Sequence, residues 1–100
     1  MIALERIVGF EWDDGNRRKS AAKHGVSQAE AEQVFLNEPL LVVEDLAHSG
    51  VEPRFPALGR SDDGRRLHVT FTLRRNATLI RVISARDMNR KERMRYGDES

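Results

Sequence analysis

Leu67-His68-Val69-Thr70-Phe71-Thr72-Leu73, a turn at Arg75-Asn76-Ala77, and Leu79-Ile80-Arg81-Val82-Ile83-Ser84-Ala85-Arg86 together decide the fold. In the first run Leu67, Val69, Phe71 and Leu73 fall on one side of an extended chain and His68, Thr70 and Thr72 on the other, because side chains alternate along a strand. The short polar break before Leu79 leaves room only for a reversal, so the two runs predict neighbouring antiparallel strands. The second run sets arginine into apolar sequence, and a basic helix around Arg90, Lys91, Arg93 and Arg95 follows it. From Arg81 to Arg95 there are six cations and two anions, Asp87 and Glu92, in a chain whose net charge is only +1. The positive charge is therefore local. Guanidinium groups gathered on a sheet and the helix beside it are equipped to hold phosphates, since the planar fork matches two phosphate oxygens at once and stays charged when partly desolvated.

Working outward, Ile7-Val8-Gly9-Phe10-Glu11-Trp12 alternates with Val8, Phe10 and Trp12 on one face and predicts a first strand. Asp13 or Asp14 offers a helix N-cap, and that helix runs to Lys23-His24 with Gly25 placed for a left-handed C-terminal turn. Ser27 and Glu30 have the spacing of a capping box, and Val26 and Ala31 that of a hydrophobic staple, so a second helix begins here. Ala31, Val34 and Phe35 form its buried stripe and Pro39 stops it. Leu40 to Leu46 is extended and ends in Glu44 and Asp45, followed by a polar loop through His48, Ser49 and Gly50. Arg54-Phe55-Pro56-Ala57-Leu58-Gly59-Arg60 reads as a strand whose Pro56 predicts an edge or a bulge. Ser61-Asp62-Asp63-Gly64 is a hairpin turn signal. Asn89 with Glu92 caps a final helix that ends near Tyr96 and Gly97. The expected architecture is α+β: an antiparallel sheet of about four to five strands, two N-terminal helices on one face and a short C-terminal helix. If Leu67, Val69, Phe71 and Leu73 pack under the helices, His68, Thr70 and Thr72 look outward beside whichever arginines share that surface.

The chain has 100 residues and a mass of 11.4 kDa, which makes one domain spanning 1–100. A pI near 8.2 argues against a general nucleic-acid coat, so any polyanion site is a patch. The absence of cysteine excludes a disulfide framework, a thiolate nucleophile and a zinc ribbon, and suits a reducing cytoplasm. The opening apolar run is broken too early by Glu5 and Arg6 for a signal peptide, and no stretch approaches the ~20 apolar residues that cross a bilayer. A soluble cytoplasmic protein with no membrane partner is the expectation.

Phe10-Glu11-Trp12-Asp13, Lys23-His24-Gly25-Val26-Ser27, Arg54-Phe55, Leu58-Gly59-Arg60-Ser61, Arg81-Val82-Ile83-Ser84-Ala85-Arg86 and Arg90-Lys91-Glu92-Arg93 with Tyr96 resemble, in order and spacing, the BrnT toxins of bacterial type II toxin–antitoxin modules. The resemblance covers about Phe10 to Tyr96. It implies a RelE-like ribonuclease fold, an RNA substrate, growth arrest through blocked translation, and neutralisation by a BrnA-like antitoxin that carries the DNA-binding domain, so that DNA is met only through the antitoxin. The chain departs from the family pattern at Arg17 and Ser20, where asparagines are usual, and at Asp87, where a basic residue is common.

RNA cleavage without a metal needs the 2′-hydroxyl aligned on its own phosphate, an acceptor for its proton, stabilisation of charge on the phosphorane, and a proton for the leaving 5′-oxygen. Arginine suits the third task, and one preorganised donor is typically worth ~10²–10³ in rate. Arg54, Arg60, Arg81 and Arg86 are accordingly the candidate catalytic cations, although each could instead pair with Glu44, Asp45 or Glu52. His24 joins them as a possible acid or base, with capping of helix carbonyls as its other reading. Lys23, His68, Arg90, Arg93 and Tyr96 are candidates for holding RNA. His68 could equally pack across strands, and Tyr96 could pack rather than stack on a base. No metal-ligand spacing or Ser/His/Asp constellation stands out, and no cofactor is called for. A noncatalytic module that binds nucleic acid or an acidic partner through the same basic surface is the alternative reading.

Overall fold

The computed structural model describes residues 4–12, 15, 23–43 and 53–97. A single 3-10 turn at Leu4–Arg6 precedes strand β1 (Gly9–Trp12). Helix α1 (Gln28–Leu36), the short β2 (Leu41–Val42), β3 (Phe55–Arg60), β4 (Arg66–Arg74), β5 (Leu79–Asp87) and helix α2 (Arg90–Arg95) follow in chain order. The cap expected at Asp13 or Asp14, most of the first helix with Arg17 and Ser20, and the stretch holding Glu44, Asp45, His48 and Glu52 lie outside the described residues. Lys23 and His24 are helical, and Gly25 follows them at φ +64°, the left-handed turn that its lack of a Cβ allows.

Both expected capping boxes are formed. The Ser27 hydroxyl accepts from the Glu30 amide at 3.1 Å while the Glu30 carboxylate accepts from the Ser27 amide at 3.2 Å. Asn89 and Glu92 do the same for α2, at 2.9 Å in each direction. Four amides that the helical ladder leaves unpaired are thereby satisfied.

The five strands lie in the order β1-β5-β4-β3-β2. From β2 to β5 neighbours run antiparallel, but β1 pairs parallel with β5, which corrects the expectation of a wholly antiparallel sheet. Short turns impose antiparallel pairing only on consecutive strands. β1 and β5 are the first and last strands, and nothing local constrains their relative direction. Pro56 also sits in an interior strand rather than at an edge. Its carbonyl accepts from the Val43 amide at 2.9 Å, and a strand residue's N–H points the same way as its carbonyl. The missing donor therefore faces the end of the two-residue β2 and leaves the β3–β4 ladder intact.

One face of the sheet carries the core. Ala57, Leu67, Val69, Phe71, Ile80, Val82 and Ala85 pack there with Val26, Ala31 and Val34 from the α1 segment. Phe35 of α1 meets the Phe71 ring edge-on at 5.0 Å and Phe10 at 5.8 Å, and Trp12 donates its indole N–H to Glu32 at 2.8 Å. α1 presses so closely on β3 that a Cβ at Gly59 would lie 2.6 Å from a Val34 methyl carbon. Only glycine permits that approach.

Register changes once along the β4–β5 ladder. Thr70 pairs with Ser84 but Phe71 pairs with Val82, so Ile83 is the extra residue of a β-bulge. Val82 and Ala85, three positions apart in sequence, are both fully buried on the core side as a result.

Arg65, at the foot of β4, ties three elements together. It donates to both Asp87 carboxylate oxygens at 2.7 and 3.0 Å, to Glu30 at 3.3 Å, and to the carbonyls of Gly25 and His24 at 2.7 and 3.1 Å. These bonds connect the end of β5, the capping box of α1 and the final carbonyls of the preceding helical residues. The Arg65 bond draws Asp87 below the ordinary carboxylate range, and the Ser27 amide followed by Arg65 does the same for Glu30. A carboxylate depressed in the folded state stabilises the fold above its unfolded pKa and loses that contribution as pH falls through its folded value. Arg65→Met should therefore lower unfolding free energy by about 2 kcal/mol at pH 7 and by progressively less as the pH falls through the depressed values of Asp87 and Glu30, where the carboxylates become protonated. Denaturant melts at pH 7 and in that acid range check this, and an equal loss at both would contradict it.

Candidate functional site

The face opposite α1 is a grid set by strand register. Residues in register across neighbouring strands project to the same side, which gives the rows Leu58–His68–Arg86, Pro56–Thr70–Ser84 and Thr72–Arg81–Glu11. Arg81 and Arg86 are an odd number of positions apart, so uninterrupted alternation would send them to opposite faces. The bulge at Ile83 returns Arg86 to the Arg81 side. Their partners Thr72 and His68 are four residues apart on β4, which separates the two backbones by about 13 Å with Thr70 and Ser84 between. Thr72 is buried despite facing this way, because its hydroxyl donates to the Pro53 carbonyl at 2.6 Å. The Pro53–Arg54 segment consequently borders the Arg81 end of the grid, and Arg54 is exposed there.

The chain's own acids meet both cations. Glu11 reaches Arg81 and Arg74 at 3.6 Å each. Glu92 is held more tightly: each of its oxygens accepts from one Arg86 terminal nitrogen at 2.8 Å, and Oε2 lies 3.5 Å from His68 Nε2. The Arg86 hydrogen bonds are the main reason that the Glu92 carboxyl is held below the usual range, with the Asn89 amide and His68 adding to them. Burial and then the Arg86 charge push His68 below its ordinary value, while Glu92 works in the opposite sense. At 15% side-chain exposure His68 is largely withdrawn from water, and its Nδ1 is buried with no hydrogen-bond partner.

The remaining candidates are distributed around this face. Arg90 and Arg93 are exposed on α2, which follows β5 directly. Arg60 donates twice to the Glu38 carbonyl, at 3.1 and 2.8 Å, and so fastens the end of β3 to the chain beyond α1. The Tyr96 hydroxyl donates to the Pro39 carbonyl and anchors the end of α2 to the segment before β2. His24 acts on Asp87 and its carbonyl accepts from Arg65. Asp87 pairs with the core-facing Leu67, so His24, and Lys23 beside it, belong to the α1 side of the sheet rather than to the arginine face. Glu92 and Glu11 are the residues meeting these cations that sequence reasoning does not single out. Glu92 was assigned only the cap of α2, and its capping role gives no sign that the same carboxylate reaches back to the strand. Among the described residues no three His, Asp or Glu side chains are grouped to hold a metal ion, and no helix is long and apolar enough to cross a membrane.

A family model described as "Ribonuclease toxin, BrnT, of type II toxin-antitoxin system" matches residues 12–92. This chain belongs to the BrnT family. Among solved structures it is similar to the Brucella abortus ribonuclease toxin BrnT, determined at 1.1 Å, with a TM-score of 0.62 and 24% identity over 83% of this chain and 99% of that one. That likeness bears on the fold, and the BrnT fold is the α+β arrangement described above. No curated protein matches the chain.

In this BrnT-family chain Arg86 and Glu92 act on His68 in opposite directions, so their separate removal is informative. By NMR titration the imidazole should show a pKa below 6.5, its ordinary value. Arg86→Gln removes the repelling cation and keeps the attracting carboxylate, and should raise it. An unchanged or lower value in the variant would show that the Arg86 charge does not act on His68.

Proposed function

We propose that this chain is a metal-independent endoribonuclease, the toxin of a type II pair, and that it cleaves RNA on the face carrying Arg81, Arg86 and His68. The observation that supports this most is the convergence of Arg81 and Arg86 on one side of β5 by way of the bulge, with the hydroxyls of Thr70 and Ser84 between them. A phosphodiester laid over those hydroxyls lies between two guanidinium groups long enough to reach it from either end. In the reaction the 2′-oxygen forms a bond to phosphorus, the bond from phosphorus to O5′ breaks, and the 2′-proton is lost while O5′ gains one. The products are a 2′,3′-cyclic phosphate and a 5′-hydroxyl. Arginines held by a sheet meet the developing phosphorane charge without reorganising, which is where such a site gains most of its rate.

Arg54 at one end of the face, with Arg90 and Arg93 on α2 at the other, is suited to neighbouring phosphates of the same strand. Arg60 and Tyr96 fasten chain segments in this arrangement, and Lys23 and His24 belong to the other side of the sheet. In the cell the reading is of a cytoplasmic toxin that stops growth by blocking translation. A BrnA-like antitoxin would cover the cations with its own acids and carry the DNA-binding domain.

Purified protein separated from any partner should shorten RNA in the presence of a chelator. Arg81→Gln combined with Arg86→Gln should lower the rate by at least about 10³-fold while leaving the circular dichroism spectrum intact. Cleavage that persists in the folded double variant would remove this site. RNA that is bound in a salt-dependent way but never shortened would favour the noncatalytic binding module instead.

A further inference from the structure

We propose that Glu92 serves this surface twice: at rest its carboxylate occupies the place on Arg86 that a substrate phosphate takes, and once displaced it accepts the proton of the 2′-hydroxyl. This rests on the ribonuclease reading above and adds a proton acceptor on the arginine face.

The geometry of the resting pair carries the first half. Two parallel bonds of 2.8 Å from the terminal nitrogens of Arg86 to the two carboxylate oxygens form the same fork that arginine offers a phosphate. The Nη1/Nη2 edge of the guanidinium cannot hold both groups in that manner, so an RNA phosphate that takes this edge competes with Glu92 for it. The carboxylate is also carried on an element that can yield. α2 has six residues, none of them buried, and besides the Glu92 bonds themselves the Tyr96 hydroxyl beyond its end reaches the Pro39 carbonyl, while Arg93 makes a long 3.4 Å bond to the Met88 carbonyl just before the helix. Lifting it exposes no core side chain of its own.

The surroundings of the carboxylate carry the second half. Three groups face it: Arg86 from β5, His68 from β4 and the Asn89 amide from its own helix. Arg86 is the largest influence holding the carboxyl in its ionised form. When phosphate takes Arg86, that influence is withdrawn and the carboxylate becomes a stronger proton acceptor at the moment substrate arrives. In the step itself the 2′-proton passes to a Glu92 oxygen as the 2′-oxygen bonds to phosphorus. The electron pair of the broken bond stays on O5′, which takes a proton from water. The resulting hydroxide removes the proton from Glu92 and resets the site.

Glu92→Gln tests both halves, because glutamine keeps the size and capping ability of the side chain and loses only its charge. With the full-length chain, binding of a short single-stranded oligonucleotide lacking 2′-hydroxyls should tighten about tenfold. Cleavage of RNA at saturation should fall about 10²–10⁴-fold, and the acidic limb of the wild-type pH–rate profile should disappear. Unchanged cleavage would remove the proton role, and unchanged or weaker oligonucleotide binding would remove the resting role. If Glu92→Gln has no melting transition, Glu92→Asp replaces it. That shorter carboxylate should grip Arg86 less and bind the oligonucleotide more tightly while keeping the acidic limb, and loss of both effects would overturn the proposal. A wild-type protein that does not cut RNA would instead refute the ribonuclease reading, which separates the two failures.

Discussion

A single extra residue in the last strand sets which side chains share the face opposite α1. Ile83 has no partner of its own on β4, and the resulting shift carries Arg86 from the packed side of the sheet to the side that already holds Arg81. Without the shift, Arg86 would point among Leu67 and Val69, where an unpaired guanidinium is prohibitively costly to bury, and Ala85 would leave the core. The bulge therefore reconciles two demands on one strand: Ile80, Val82 and Ala85 are delivered to the core, and Arg81, Ser84 and Arg86 to the opposite face. Bulges beside functional sites commonly re-aim side chains in this way.

Once assembled, the basic face is not left as bare charge. Glu11 comes from the parallel partner β1 and Glu92 from α2, so the two arginines are neutralised by the first and last parts of the sheet-and-helix arrangement. Like charges on one face of a sheet repel, and the chain's own carboxylates relieve that repulsion. On the α1 side Arg65 does a different job with the same functional group. It is engaged by Asp87, Glu30 and two backbone carbonyls, and it acts as a clasp between elements. Arginine content alone therefore does not identify a phosphate site. Position on the sheet separates Arg81 and Arg86, on the face opposite α1, from Arg65, which fastens elements on the α1 side.

Local features were legible in the sequence. Both capping boxes, the left-handed turn at Gly25, the alternation of Leu67 to Phe71 and the reversal before Leu79 follow from rules that act over a few residues, and each is present. The bulge was not legible, since no glycine or proline marks Ile83 and a strict count by two places Arg81 and Arg86 apart. The parallel pairing of β1 with β5 joins the first and last strands in chain order and has no local signal. Pro56 points to an edge or a bulge in the sequence because proline lacks a donor, and the direction that donor would face is set only by the fold. Glu92 was assigned to its cap and Arg65 was not singled out at all, because their partners on β5 and at Gly25 become neighbours only in the folded chain. His24 was grouped with Arg81 and Arg86 by chemistry alone, and the sheet separates them.

The register of the β4–β5 ladder is the point on which all of this turns, and nuclear Overhauser contacts between backbone protons report it directly in solution. The account predicts cross-strand contacts for His68 with Arg86 and for Thr72 with Arg81 in the same molecule. Contacts of Thr72 with Val82 in place of Arg81, which an unbroken register would give, would put the two arginines on opposite faces and contradict it.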